Sequence, residues 1–177
     1  AKKILKKAIG LNPNHLKLYS NLAGIYVREG DFEEAEVFLR KSVEINPKDI
    51  NTQVNLACVL KDLGNPKEAE KFLRNALEIN PSYEIALTNL GAVLNELERI
   101  NEGERYLRKA LNINAASPMA LNNLGNILSK KKNNSEAEFC YRKAIEIKSD
   151  FSLAYNNLGS LLSKQGNLIE AEKFTEK

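Results

Sequence analysis

The sequence predicts an all-α fold in which two-helix units follow one another as a solenoid. Residue types return at a fixed interval, apolar residues recur at spacings of three and four, and no stretch has the alternating pattern of a β-strand. The interval is 34 residues without insertion or deletion, as shown by Leu22, Leu56, Leu90, Leu124 and Leu158. Such a period is typical of repeat proteins, in which each unit buries its apolar face only against its neighbours.

Within each unit the residues indicate two helices joined by a tight turn. The segment 18–26 carries apolar residues on one helical face, and Gly30 ends this first helix. Asp31 then opens the second helix with Glu34 three residues later, which is the spacing of a capping box. The same spacing predicts capping boxes at Asn65/Glu68, Asn133/Glu136 and Asn167/Glu170.

The period divides the chain into a single array. Residues 1–15 are the second half of one unit, and residues 152–177 are a truncated unit at the other end. The complete units between them are 16–49, 50–83, 84–117 and 118–151. On this division both ends of the chain fall inside a unit, which predicts that the chain is part of a longer protein.

Composition excludes several classes of protein. The 177 residues are 43% hydrophobic and 28% charged, which is ordinary for a globular chain. The formal net charge is only +3 and is spread evenly, so we expect no nucleic-acid partner. The longest apolar run covers residues 22–27, too short for a membrane span or a signal peptide, so we expect no membrane partner.

The two cysteines and the single histidine indicate neither a disulfide framework nor a zinc site. Cys58 and Cys140 lie far apart in different parts of the motif, so we predict that they are unpaired, which suits a cytoplasmic location. His15 is the only histidine, and with two distant cysteines it cannot form a zinc site. No phosphate loop, nucleophile elbow or metalloprotease motif occurs, so we expect no catalytic residue, no metal and no cofactor.

The repeated residues form a recognisable motif. It has Leu-Gly in the first helix, two Ala positions in the second and Pro near the end: Leu90-Gly91, Leu124-Gly125, Leu158-Gly159; Ala35, Ala69, Ala137, Ala171; Ala76, Ala110, Ala144; and Pro13, Pro47, Pro81. Over the whole chain this pattern resembles the tetratricopeptide repeat family. The resemblance implies a right-handed α–α superhelix, a concave groove lined by the first helices, and protein segments as ligands.

Several positions depart from the family motif. Ser42 and Gly103 replace Ala, Ala115 and Ser149 replace Pro, Glu98 and Lys132 replace the turn glycine, and Arg99 replaces the helix cap. We therefore predict less rigid turns in the third and fourth complete units, with the fold unchanged.

The second helices carry a regular series of opposite charges. Four acid–base pairs have i, i+4 spacing with the acid first: Glu36/Arg40, Glu70/Arg74, Glu104/Arg108 and Glu138/Arg142. This orientation supports a helix, so the pairs predict a solvated outer face and not a binding patch.

The first helices carry the candidate binding residues. Asparagine precedes the repeated leucine in every unit, at Asn21, Asn55, Asn89, Asn123 and Asn157, a set named here the asparagine row. Further candidates for peptide binding near the row are Asn122, Asn126, Asn156, Lys61 and Lys130. A primary amide can donate to a peptide C=O and accept from a peptide N–H, so the row predicts backbone contacts to an extended peptide. It resembles the asparagines in the superhelix of O-linked N-acetylglucosamine transferase, although such amides can equally bond neighbouring helices.

Three functions remain open from the sequence. The first is a protein-interaction scaffold without catalytic activity that binds an extended peptide or protein segment in its groove. The second is the substrate-recruiting part of a larger enzyme such as a glycosyltransferase. The third is end-to-end self-association through apolar residues at the open ends, such as Ile4, Leu5 and Phe174. The carboxylate clamp known in the family requires a basic residue in the row, and none is present.

Overall fold

The computed structural model describes residues 1–175, apart from the side chains of Lys173 and Thr175. Residues 176 and 177, which belong to the predicted truncated unit, lie outside the described residues. The described part is all-α: it has eleven helices and no strand. The helices are α1 (Lys2–Leu11), α2 (Leu16–Glu29), α3 (Phe32–Ile45), α4 (Ile50–Asp62), α5 (Pro66–Ile79), α6 (Glu84–Glu96), α7 (Ile100–Ile113), α8 (Pro118–Lys130), α9 (Asn134–Ile147), α10 (Ser152–Lys164) and α11 (Leu168–Thr175).

The helices keep the sequence period. The first helices of successive units, α2, α4, α6, α8 and α10, start 34 residues apart. Each of α2, α4, α8 and α10 packs against the second helix that follows it, and α3, α7 and α9 pack against the first helix of the next unit. The chain divides into two compact parts, Ala1–Val93 and Leu94–Lys177.

The residues that define the period are also the core of each part. In the N-terminal part Leu22, Leu56 and Ala35 are fully buried. In the C-terminal part Ala137 and Leu158 are fully buried as well. Small residues at the alanine positions let adjacent helices approach closely, which explains why the same residue types return at these positions.

Ser42, one of the departures from the alanine pattern, is stabilised by other hydroxyl groups. Its side chain is fully buried, and its Oγ shares a hydrogen bond with Oγ of Ser20 at 2.9 Å. Oγ1 of Thr52, which is buried as well, lies 3.4 Å from Oγ of Ser42. Because the three hydroxyl groups satisfy one another, serine is accepted at a position where other units bury alanine.

The turn between the two helices of a unit keeps one backbone conformation throughout. Gly30, Gly64 and Gly166 have positive φ, and so do Glu98 at 57° and Lys132 at 61°. The third and fourth complete units therefore retain the left-handed turn although they lack the glycine. For Glu98 and Lys132 this left-handed conformation is unfavourable by roughly 1–2 kcal/mol per residue, because each has a Cβ.

The predicted capping boxes form only in part. Asp31 accepts from the backbone N–H of Glu34 at 3.3 Å, as expected. At Asn65 and Asn133 the prediction is wrong, because neither side chain caps its helix. Asn133 instead donates its amide N–H to the Glu136 carboxylate at 2.8 Å, since a hydrogen bond to a charged acceptor is stronger than one from a backbone N–H to a neutral amide.

The ion pairs predicted along the second helices are all present. Their N–O distances are 2.7 Å in Glu36/Arg40 and Glu70/Arg74 and 2.8 Å in Glu104/Arg108 and Glu138/Arg142. Contacts also run to a glutamate 28 residues later, in the next second helix, among them Arg40–Glu68 at 2.9 Å, Arg108–Glu136 at 2.8 Å and Arg142–Glu170 at 2.7 Å. The charges therefore connect consecutive units as well as supporting single helices.

The two cysteines are unpaired, which confirms the prediction. Cys140 is buried, and this burial raises the pKa of its thiol from 9.0 to about 11. Burial also raises the pKa of the half-buried Cys58 thiol.

Candidate functional site

In the N-terminal part, a pocket of about 180 Å³ opens between the first helices α2 and α4. One helical stripe from each helix forms its walls, and a residue of α3 adds to the lining. The lining residues are Ser20, Ala23, Gly24 and Val27 from α2, Leu39 from α3, and Asn55, Cys58, Val59 and Asp62 from α4. The pocket lining thus includes one member of the asparagine row, Asn55.

Two residues of the row in the N-terminal part have side-chain amides that form no hydrogen bond with the described residues. Asn21 on α2 and Asn55 on α4 are exposed, and among the described residues neither amide has a hydrogen-bond partner. Asn89 on α6 is half-buried, and its Nδ2 donates to the carbonyl of Ile85 one turn earlier at 2.9 Å. That bond fixes the orientation of the Asn89 amide and leaves its Oδ1 as an acceptor for a ligand N–H.

In the C-terminal part, a buried amide holds a member of the row. Nδ2 of Asn157 on α10 donates to Oδ1 of Asn122 on α8 at 2.9 Å. Asn122 is only 3% exposed, so it lies beneath the surface and orients the amide of Asn157 from there. Asn123 is half-buried and Asn156 is exposed. The amides in this part thus serve partly to bond neighbouring helices.

Asn126, another predicted binding residue, is held by a tyrosine that sequence reasoning missed. The Tyr141 hydroxyl donates to Oδ1 of Asn126 at 2.8 Å. Tyr141 is 2% exposed, and this burial raises the pKa of its hydroxyl above its ordinary value. A Cβ on Gly125 would lie 2.5 Å from the Tyr141 ring, so glycine is needed at this point. The bond leaves Nδ2 of Asn126 available as a donor.

Both predicted lysines already have acidic partners. Nζ of Lys61 lies 3.2 Å from the carboxylate of Asp62. Nζ of Lys130 lies 3.0 Å from the carboxylate of Glu98 and donates to the carbonyl of Asn95 at 3.3 Å. A ligand that used either lysine would have to compete with these contacts.

Family models cover most of the chain. Models described as tetratricopeptide repeat match residues 15–82, 85–116, 118–151 and 140–173. The chain belongs to the tetratricopeptide repeat family. No curated protein matches it in sequence. A scaffold for protein interactions is the class of function that this family supports.

Solved structures share the tetratricopeptide fold. A tetratricopeptide repeat protein from Parabacteroides merdae is 24% identical with a TM-score of 0.83, over 99% of this chain and 70% of that one. PilF of Pseudomonas aeruginosa is 25% identical with a TM-score of 0.76, over 90% of this chain and 72% of that one. YrrB, described as having an unusual peptide-binding site, is 23% identical with a TM-score of 0.68, over 98% of this chain and 90% of that one.

Exposed apolar residues in this tetratricopeptide array were also missed from the sequence. Ile85, Met119 and Leu153 are exposed and stand one turn before Asn89, Asn123 and Asn157, at a position where the earlier units have Lys17 and Asn51. The 34-residue period could have found them, because they occupy one position of the motif in three successive units.

Within residues 1–175, none of the helices is both long and apolar enough to span a bilayer. The described residues also bring together no group of three His, Cys, Asp or Glu side chains that could hold a metal ion.

Proposed function

We propose that this protein is an interaction scaffold that binds an extended peptide segment along its first helices through the amides of the asparagine row. One observation carries the proposal: the amides of Asn21 and Asn55 occupy the same repeat position on α2 and α4, are exposed, and have no partner among the described residues. Because neither amide is buried or bonded to a neighbouring helix in the described part of the chain, both are available to a ligand.

Amide groups suit a peptide backbone because they carry both hydrogen-bond functions and no charge. Nδ2 donates to a carbonyl of the ligand and Oδ1 accepts from its N–H, whatever side chains the ligand has. Adjacent helices pack about 8–10 Å apart and an extended chain advances about 3.3 Å per residue, so neighbouring row positions within one part of the chain match about every third ligand residue. Each contact is worth about 0.5–1.5 kcal/mol net.

Hydrogen bonds within the protein support the same function in the C-terminal part. Asn122 orients the amide of Asn157, and Tyr141 orients the amide of Asn126. An amide fixed before binding loses less conformational freedom when the ligand arrives, which increases affinity. YrrB, which shares the fold, is described as having a peptide-binding site, and this supports a peptide as the class of ligand.

The test uses peptides of about a dozen residues, long enough to span several row positions, selected on the parent protein from a random displayed library. Dissociation constants are then measured for the parent, for Asn21→Ala and Asn55→Ala, and for the double variant. Asn75→Ala is the matched control, because Asn75 is an exposed asparagine on the second helix α5. We expect the double variant to weaken binding by about 1–3 kcal/mol, which is roughly 5- to 150-fold, and the control to change nothing.

Salt separates this mechanism from binding by charge. The row is uncharged, so affinity should hardly change between low and high salt. Selected peptides that bind the double variant as tightly as the parent would show that the row does not hold the ligand. Binding that collapses at high salt with the row intact would assign the affinity to the lysines instead.

A further inference from the structure

The pocket between α2 and α4 has a regular construction. Its α2 residues are at positions 20, 23, 24 and 27, and its α4 residues are at positions 55, 58, 59 and 62, so each helix contributes one stripe with i, i+3, i+4, i+7 spacing. Leu39 from α3, which is buried, also lines the pocket. Apolar surface predominates, and the exposed amide of Asn55 is at the lining.

Gly24 keeps this pocket open. It lies inside α2, its φ is not in the left-handed region, and a Cβ built on it would meet no atom within 4 Å. Neither backbone conformation nor packing therefore requires glycine, and glycine inside a helix is less stable than alanine. The equivalent residue in the next unit is Cys58, so a side chain is accepted at this repeat position. What glycine adds at position 24 is space.

The space suits one side chain. An apolar cavity of about 150 Å³ holds one benzene molecule, so a pocket of about 180 Å³ can take one aromatic or branched aliphatic group. An extended peptide sends alternate side chains to opposite faces. If its backbone is held by the Asn55 amide, a side chain next to that contact faces the pocket.

We propose that this pocket receives one apolar side chain, aromatic or branched aliphatic, of the extended peptide held by Asn55. The inference rests on the proposed function and deepens it. The amides bind the ligand backbone whatever its side chains are, whereas the pocket favours an apolar side chain at one position of the ligand. The rim adds no net charge, since the Asp62 carboxylate is paired with Lys61 at 3.2 Å. Ser20 is bonded to Ser42, so its hydroxyl does not call for a polar ligand group.

The experiment selects peptides on the parent protein from the random library and compares their binding to Gly24→Leu and Gly24→Ala. The first variant fills the pocket, and the second adds a single carbon where there is open space. Gly10→Leu and Gly10→Ala are matched controls, because Gly10 is a helical glycine of α1 with nothing within 4 Å of a built Cβ and lies outside the pocket. Circular dichroism and thermal unfolding confirm that each variant is folded.

The expected result is a set of peptides with an apolar residue at one shared position. Their affinity should fall roughly 10- to 100-fold on Gly24→Leu, which is the loss of one buried apolar side chain, and less on Gly24→Ala. Gly24→Ala should unfold at a higher temperature than the parent, because the helix gains alanine, and the Gly10 variants should bind as the parent does.

Two other results would overturn the inference, and they distinguish failure of the pocket assignment alone from failure of both proposals. Peptides that depend on Asn21 and Asn55 but share no apolar residue, or bind Gly24→Leu as well as the parent, would overturn the pocket assignment and leave the proposed function in place. If no peptide is enriched on the parent, both proposals fail.

Discussion

The Tyr141 hydroxyl on α9 donates to Oδ1 of Asn126 on α8 at 2.8 Å. In the other complete units a leucine stands at the equivalent place, as Leu39, Leu73 and Leu107. In this unit an aromatic ring fills it, and the glycine at position 125 leaves the room for the ring. Gly125, Asn126 and Tyr141 are therefore one local arrangement, and each depends on the other two.

Gly125→Ala should destabilise the protein, because the new Cβ would lie 2.5 Å from the Tyr141 ring. We expect a loss of about 1–3 kcal/mol, as for other overpacked cores. Tyr141→Leu combined with Gly125→Ala should recover most of this loss, since Ala57 and Leu73 already occupy the same two positions in another unit. Urea unfolding of the two single variants and the double variant measures the coupling, and strictly additive losses would contradict it.

The turn residue Lys132 should be replaceable by glycine with a gain in stability. Its φ of 61° is unfavourable for a side chain, and no ion pair or hydrogen bond of its side chain appears in the described part. After the larger entropy of the unfolded glycine chain is subtracted, Lys132→Gly should gain about 0.5–1 kcal/mol in the free energy of unfolding.

The reciprocal control for this turn is Gly64→Ala. Gly64 has a φ of 78°, so alanine should cost about 1 kcal/mol there. Glu98→Gly should gain less than Lys132→Gly, because it also removes the ion pair with Lys130. Chemical denaturation of the three variants measures these differences, and a Lys132→Gly protein less stable than the parent would refute the strain.

The sequence predicted the fold because the determinants are local and repeated. Leucine recurs at the position of Leu22 in every unit, and a small residue recurs at the position of Ala35, so their burial followed from the period alone. The tight turn was predicted from the same repeated spacing, whereas the left-handed conformation of Glu98 and Lys132 was not. Positions at which the unit is uniform could therefore be predicted.

The site was harder to predict, because it depends on contacts between units. Asn122 and Asn156 occupy the same repeat position, yet Asn122 is buried and bonded to Asn157 while Asn156 is exposed. Identical residue types carry no signal that separates the two cases. Likewise the Arg40–Glu68 pair spans 28 residues, and its formation depends on the direction in which two long side chains extend between helices.

Arg40 should couple two units through charge. Its guanidinium contacts Glu36 at 2.7 Å and both carboxylate oxygens of Glu68 at 2.9 Å. Because the pairs are partly exposed, Arg40→Gln should lower the free energy of unfolding by only about 0.5–1 kcal/mol in low salt and by less in 1 M salt.

A double-mutant cycle with Glu68→Gln isolates the contact between units. Lys41→Gln, which breaks the more exposed Lys41/Glu44 pair, is the control and should cost less. A coupling energy of zero at low salt would show that the Arg40–Glu68 contact adds nothing.

The buried thiol of Cys140 should make stability fall at alkaline pH. Burial raises its pKa from 9.0 to about 11 in the folded protein, whereas in the unfolded chain it ionises near the ordinary value. The contribution of a group with a raised folded-state pKa is fully present below its unfolded pKa and is lost as pH rises through the folded value, so the decline should lie between about pH 9 and pH 11. Two pKa units at about 1.4 kcal/mol each set an upper limit of roughly 3 kcal/mol.

Lysines and tyrosines titrate in the same range, so the measured quantity is the difference in free energy of unfolding between the parent and Cys140→Ala. Cys140→Ala leaves a cavity and should be less stable at pH 7, but this difference should shrink steadily towards pH 11. A difference that stays constant from pH 8 to pH 11 would show that the thiol ionises alike in both states.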